Sequence, residues 1–207
     1  MPDAALGIRM HSGWGVLVAV SRDTNSIEVL DRRRIAITDQ GIPGATQPYH
    51  YAANLVDRLG LPEAEKHIAY CAAVSERLAL AAVEEVVREL DARHYRIIGS
   101  AVLLASGRPL PPLSKILAAH PLIHTAEGEF FRNAVRSACE RLKVSVTAIP
   151  ERELDERAKK AFGRAASQMQ RTISTLGSSL GPPWTKDHKA SALAALVVLA
   201  NKKPSRP

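Results

Sequence analysis

Between Arg96 and Ala105 the chain reads Arg-Ile-Ile-Gly-Ser-Ala-Val-Leu-Leu-Ala, a near-continuous apolar run of strand length. A strand with one wet face alternates polar and apolar residues, whereas an unbroken run suits a strand covered on both faces. Such a strand belongs at the centre of a sheet and obliges the rest of the chain to supply cover for both sides. Helical patterns are available for this. Ile68, Cys71, Ser75, Leu78, Ala82 and Val86 recur at three- and four-residue steps in a long helix from Pro62 to about Leu90, where a proline is acceptable in the first turn.

Three β-like runs precede that helix: Gly13-Trp-Gly-Val-Leu-Val-Ala-Val, Ile27-Glu-Val-Leu and Ile35-Ala-Ile, separated by a turn at Asp23-Thr-Asn-Ser and by Asp31-Arg-Arg-Arg. They read as an antiparallel meander. Residues 41–51 carry two prolines and two glycines and read as a structured loop. After the central strand come a Pro-rich loop from Gly107 to Pro112, a short helix ending near Ala119 and a helix from Ala126 to Leu142. A final strand at Lys143–Ile149 leads into a basic helical stretch from Pro150 to about Phe162. Gly163 interrupts it; a helix near 166–176, a connector at Gly177–Trp184 and a nearly all-apolar terminal helix complete the chain. The order β-β-β-α-β-α-β-α predicts an α/β fold: a mixed five-stranded sheet, a three-strand antiparallel meander plus parallel strands, with helices on both faces. Residues 1–207 are expected to form one domain.

Composition narrows the functional classes. No apolar run near either end approaches the roughly 20 residues of a membrane span, and the N-terminus lacks a signal-peptide pattern, so a cytoplasmic protein without a membrane partner is expected. Cys71 and Cys139 lack metal-ligand spacing and read as buried free thiols. Charge is uneven: residues 157–207 hold 10 Lys and Arg against the single acid Asp187, about +9 in the last quarter of the chain. That favours a polyanion such as nucleic acid, the alternative being a solvated basic face. Arg157, Lys159, Lys160, Arg164 and Arg171 are the candidate phosphate contacts, and Arg32, Arg33 and Arg34 form a second cluster. With only 4% aromatic residues, base-stacking platforms are poorly supported and phosphate contact is favoured. No phosphate loop, nucleophile elbow or Cys-x-x-Cys pair occurs, and no organic cofactor is expected.

The element order resembles the ribonuclease H-like fold and, within it, the RuvC-type resolvase group. Ile8-Arg-Met-His-Ser-Gly-Trp-Gly-Val looks like that group's Gly-Ile-Asp-Pro-Gly followed by Gly-Tyr/Trp-Gly-Val, shortened and without the aspartate. Ser100-Ala-Val-Leu-Leu-Ala-Ser-Gly falls where the group carries a glutamate, and none is present. Asp187-His-Lys-Ala-Ser-Ala-Leu-Ala is similar to the final-helix motif Asp-Ala-Ala-Asp-Ala-Leu-Ala, with Asp187 on the first aspartate and Ala190 on the second. The resemblance implies nucleic-acid chemistry by two magnesium ions, but one of four carboxylates is kept, and one aspartate cannot hold two hard cations.

Replacement residues can be named. Glu127, Phe131, Ala134, Val135, Ala138 and Leu142 share one helical stripe, which puts Glu127 at the rim of a buried face, while Glu129 points to solvent. Glu127 reads equally as a first-turn acid behind an N-cap Thr125. His11 takes the place of the missing first-strand aspartate, and His124 precedes the helix bearing Glu127. Asp187 shares a face with Ser191, Ala194 and Val198; it is either an N-cap or a carboxylate aimed inward at the top of the terminal helix. Together His11, His124, Glu127 and Asp187 would form a catalytic cluster in which Glu127 and Asp187 hold a divalent metal (Mg, Mn or Zn), the two-His, two-carboxylate set suiting zinc or manganese. Two functions follow: a metal-dependent phosphodiester hydrolase with a non-standard site, or a catalytically inactive binding or assembly module. Small-residue helices would also suit a homodimer.

Overall fold

The computed structural model describes residues 1–23, 26–105 and 109–201. Thr24 and Asn25 of the expected turn, Gly107 and Arg108 of the Pro-rich loop, and the basic residues Lys202, Lys203 and Arg206 lie outside them. Among the described residues no helix is long and apolar enough to cross a membrane.

The chain runs β1 (Asp3–Met10), β2 (Trp14–Arg22), β3 (Ile27–Ala36), α1 (Pro48–Leu59), α2 (Leu61–Ala92), β4 (Arg96–Leu104), α3 (Leu113–Leu117), α4 (His120–Arg141), β5 (Val146–Pro150), α5 (Leu154–Phe162), α6 (Ala166–Thr175), α7 (Gly177–Leu180) and α8 (Lys186–Ala200). The five strands form one sheet in the order β3-β2-β1-β4-β5. β1, β2 and β3 pair antiparallel, while β4 runs parallel to β1 and β5 parallel to β4. The mixed five-stranded sheet with helices on both faces is therefore as expected.

Its first three strands are composed differently from the sequence reading. Asp3–Met10 is a strand of its own, missed because Asp-Ala-Ala-Leu-Gly-Ile-Arg-Met is poor in β-branched residues. Its position between β2 and β4 decides its conformation, and Ala4, Ala5, Leu6 and Ile8 are completely buried. The second and third expected strands are one strand, β3, because the charges of Asp31-Arg-Arg-Arg find partners without breaking it. Arg33 pairs with Asp31, Glu85 and Glu89, and Arg32 donates to the carbonyls of Leu180, Gly181 and Pro183. The expected loop at 41–51 gives way to α1 at Pro48, which stands in the first turn where its missing N–H costs nothing.

Alternation along β1 divides the core. Ala4, Leu6, Ile8 and Met10 face a layer that includes Cys71, Val83 and Leu90 of α2 and Phe131, Val135 and Cys139 of α4. Ala5 faces the other layer, with Leu154 and Ala158 of α5, Met169 and Ile173 of α6 and Ala192–Val197 of α8. Both cysteines are buried and free. α8 is apolar around nearly its whole circumference because it lies between the sheet and α5 and α6, and such a helix has no face to give to water. It sits very close to the sheet. A Cβ on Gly7 would lie 1.8 Å from the Ser191 carbonyl oxygen, so only glycine fits there. Ser191, Ala194 and Ala195 are thus buried within the fold rather than presented to a second copy.

Candidate functional site

Asp187 stands in the first turn of α8, but it is not the cap. Thr185 is the N-cap, and its hydroxyl and backbone N–H both engage His188 Nδ1 in a capping box. Asp187 is therefore released to point over the end of β1, where its side chain is 17% exposed. Arg9 comes up from β1 on the same side of the sheet as Ala5 and Gly7. Its Nη1 donates to Asp187 Oδ1, while its Nε and Nη2 donate to Glu151 Oε1 and Oε2 at 3.1 and 2.8 Å. Glu151 follows directly on β5. His11 Nε2–H completes the set, donating to Asp187 Oδ2 at 2.9 Å, with its ring stacked on Trp14 at 4.4 Å. The tight β1–β2 turn that positions His11 needs Gly13 at φ 78°.

Electrostatics follow from this geometry. Burial raises the Asp187 pKa, but the His11 hydrogen bond and the Arg9 charge outweigh it and leave the carboxyl below its ordinary value. Arg9 is held more firmly cationic, first by its hydrogen bonds to Glu151, then, against the cost of burial, by the charges of Glu151 and Asp187. All four carboxylate oxygens accept from Arg9 or His11. Two magnesium ions require several oxygen ligands with available lone pairs and no cation among them. This donor set does not fit them. From β4, the apolar Leu103 lines the cleft beside Arg9 and Glu151.

Glu127 lies elsewhere. α4 starts at His120, six residues earlier than the sequence suggested, with Ala119 as N-cap and Pro121 in the first turn. Thr125 is consequently not a cap, and its hydroxyl donates to the Pro121 carbonyl. Glu127 is inside the helix and only 3% exposed, on the stripe with Phe131, Ala134, Val135 and Ala138 as expected. Its Oε1 accepts from both the backbone N–H and Nδ1–H of His50, at 3.1 and 2.9 Å. His124 packs edge-on to His50 with ring centroids 4.8 Å apart. Glu129, expected in solvent, is half-buried, and its charge acts on the buried Arg132.

The four sequence candidates thus fall into two pairs. His11 and Asp187 meet above β1 beneath α8; Glu127 and His124 meet, through His50, on α4 at the other face of the sheet. Sequence reasoning missed Arg9, Glu151, His50 and His120. Signals existed for two of them: Gly7-Ile8-Arg9 is similar to Gly-Ile-Asp, which puts Arg9, rather than the expected His11, in the place of the acid, and His120 and His124 are four apart, on one helical face.

Of the basic candidates, Arg157 pairs with Glu153 at 3.2 Å and Lys159 with Glu156 at 3.1 Å, while Arg171 donates to Gln168. Lys160 and Arg164 are exposed. Beside Arg9 and Glu151 a cleft of about 380 Å³ opens between α8 and α5–α6, with Lys186 and Lys189 among its lining residues.

The antiparallel β3-β2-β1 meander, the parallel β4 and β5, and a final helix laid on β1 decide the architecture. The fold is ribonuclease H-like. Two solved structures resemble this ribonuclease H-like chain. A structure of RuvC from Thermus thermophilus is 13% identical, covering 94% of this chain and 92% of its own with a TM-score of 0.49. RuvC of the same organism in complex with a Holliday junction substrate is 12% identical, covering 94% and 91% with a TM-score of 0.45. No family model and no curated protein matches the sequence.

Proposed function

We propose that this chain is a nucleic-acid-binding module on a ribonuclease H-like fold whose hydrolytic position is closed by an internal guanidinium. The observation that carries the reading is Arg9. It lies where an acid would be needed, and together with His11 it engages every carboxylate oxygen of Asp187 and Glu151. The Arg9 guanidinium takes up the carboxylate lone pairs that a divalent cation would need. Lys186 and Lys189 beside the same cleft, and the basic excess of the last quarter of the chain, supply the attraction for phosphate. Phosphate contact of this kind positions a nucleic acid without reading its sequence.

The hydrolase reading, with Glu127 and Asp187 sharing a cation and His11 or His124 orienting water, needs all of them in one cleft. Against it, α4 and α8 cover opposite faces of the sheet. Among the described residues, the one set of three histidine, cysteine or carboxylate side chains spaced for an ion is His50, His120 and His124.

The test is a binding and cleavage assay on branched, duplex and single-stranded substrates with magnesium, manganese or zinc. Salt-sensitive binding without cleavage is the expected result. Cleavage that disappears in Asp187→Asn would overturn the closed-site reading, and absence of binding at low salt would overturn the nucleic-acid reading.

A further inference from the structure

The N-terminal parts of α1 and α4 bring three imidazoles together. His50 is the third residue of α1; His120 and His124 are one turn apart on α4. Ring centroids are 5.1 Å apart for His50 and His120, 4.8 Å for His50 and His124, and 4.4 Å for His120 and His124. One ring nitrogen from each lies within 4.8 Å of the others. We propose that His50, His120 and His124 form a site for a divalent transition metal, with zinc as the ion that fits best, and that Glu127 holds His50 in place for it.

Three observations carry this. The donor set is all imidazole, which suits zinc and its neighbours and is a poor match for magnesium or calcium. Glu127 accepts from Nδ1–H of His50, which fixes the tautomer with an unprotonated Nε2; a buried carboxylate behind a ligating histidine is the arrangement that orients the ring and raises its basicity. The Glu127 side chain is itself only 4% exposed and is also pinned by the His50 backbone N–H, so the support is rigid. The entry side, by contrast, is open, since His120 and His124 are exposed. Ligand nitrogens around tetrahedral zinc lie about 3.4 Å apart, given Zn–N bonds of roughly 2.0–2.1 Å. Rotation of the two exposed side chains closes that difference. A fourth position then faces solvent, and the ion ties the start of α1 to the start of α4.

This site does not depend on the nucleic-acid reading, because it uses none of Arg9, Asp187 or Glu151 and is read out by metal alone. Untagged full-length protein, stripped with chelator, is titrated calorimetrically with zinc and, in parallel, with cobalt while visible absorption is followed. One zinc per chain is expected, along with intense cobalt bands that zinc displaces and no response to magnesium. His120→Ala and His124→Ala should each weaken zinc binding at least about tenfold while leaving the thermal stability of the metal-free protein unchanged, as the side chains are exposed. Glu127→Gln should weaken it about 10–100-fold. Absence of zinc binding by the wild type, or zinc binding undiminished in the His120→Ala/His124→Ala double variant, would overturn the site.

Discussion

Arg9 and Asp187 meet where the end of β1 passes beneath the first turn of α8, joined by a charge-assisted hydrogen bond from Nη1 to Oδ1. Arg9 reaches Glu151 at the same time, through two parallel bonds. One side chain therefore bridges two carboxylates from two other elements. A guanidinium does this well because its planar fork matches a carboxylate and it stays charged at any working pH.

Removing that fork should leave Asp187 and Glu151 as neighbouring, uncompensated acids. Arg9→Ala is expected to cost about 1–3 kcal/mol, less than a deeply buried pair would, because Glu151 is 35% exposed. Denaturant unfolding monitored by circular dichroism measures it. Arg9→Asp should cost more, and millimolar magnesium should restore part of the loss, since an ion bound only by the folded state stabilises it. The wild type should show no such ion effect; an equal shift in both proteins would contradict the role given to Arg9.

The site also sets an acid limit on stability. The Asp187 carboxyl is lowered in the fold, so the unfolded chain binds protons first and stability is present above the ordinary value of 3.8 and lost as pH falls through the folded value. Acid unfolding below about pH 4 should be shallower in Asp187→Asn, as read by Tm against pH.

A second window lies nearer neutrality. Burial, then the charge of Arg32, lowers the His188 pKa against the opposing pull of Asp187, and burial lowers that of His67. Both contributions are complete above the ordinary 6.5 and decline as pH falls from there toward the folded values. His188→Gln keeps an acceptor for the capping box and removes its titration, so the loss of Tm between about pH 7 and 5 should shrink. An unchanged slope would refute it.

Packing gives a sharper contrast between two glycines. Gly7→Ala drives a Cβ to 1.8 Å from a helix carbonyl, which cannot move without displacing α8, and should cost more than about 3 kcal/mol. Gly99→Ala meets the Ser145 hydroxyl at 2.8 Å and a Val198 methyl at 3.1 Å, ends of side chains that can yield, and should cost about 1–2 kcal/mol. Similar losses for both would mean that α8 is free to lift.

If Lys186 and Lys189 contact phosphate, each alanine variant should weaken binding evenly across nucleic-acid sequences and reduce the salt dependence of log K by about 1. Fluorescence anisotropy across a salt series provides the slopes. Unaltered slopes would move the interface away from the α8 cleft.

The sequence carried the elements whose burial pattern is local. Arg96–Ala105 announced a doubly covered strand, and the periodicity of Ile68, Cys71 and Ser75 announced α2. The same logic failed for β1, where Gly7 has to be a glycine because Ser191 of α8 presses on it, a cause 184 residues downstream in the chain and invisible to propensity. It failed again at α4, where the helix takes in His120-Pro-Leu-Ile-His-Thr because a proline in a first turn starts a helix as readily as it ends one.

For the site the division is cleaner. By itself the sequence determined which charges exist and which are scarce: one acid in the last 51 residues among 10 Lys and Arg, and, by its resemblance to the RuvC-type group, one of the four carboxylates that group would bring. It could not determine company. Arg9 and Asp187 are 178 residues apart, Arg9 and Glu151 142, and His50 and Glu127 77. Such meetings depend on strand register and on how closely a helix settles on a sheet, quantities that no local periodicity encodes. Only the tertiary structure decided that Asp187 faces a guanidinium while Glu127 stands behind a cluster of histidines.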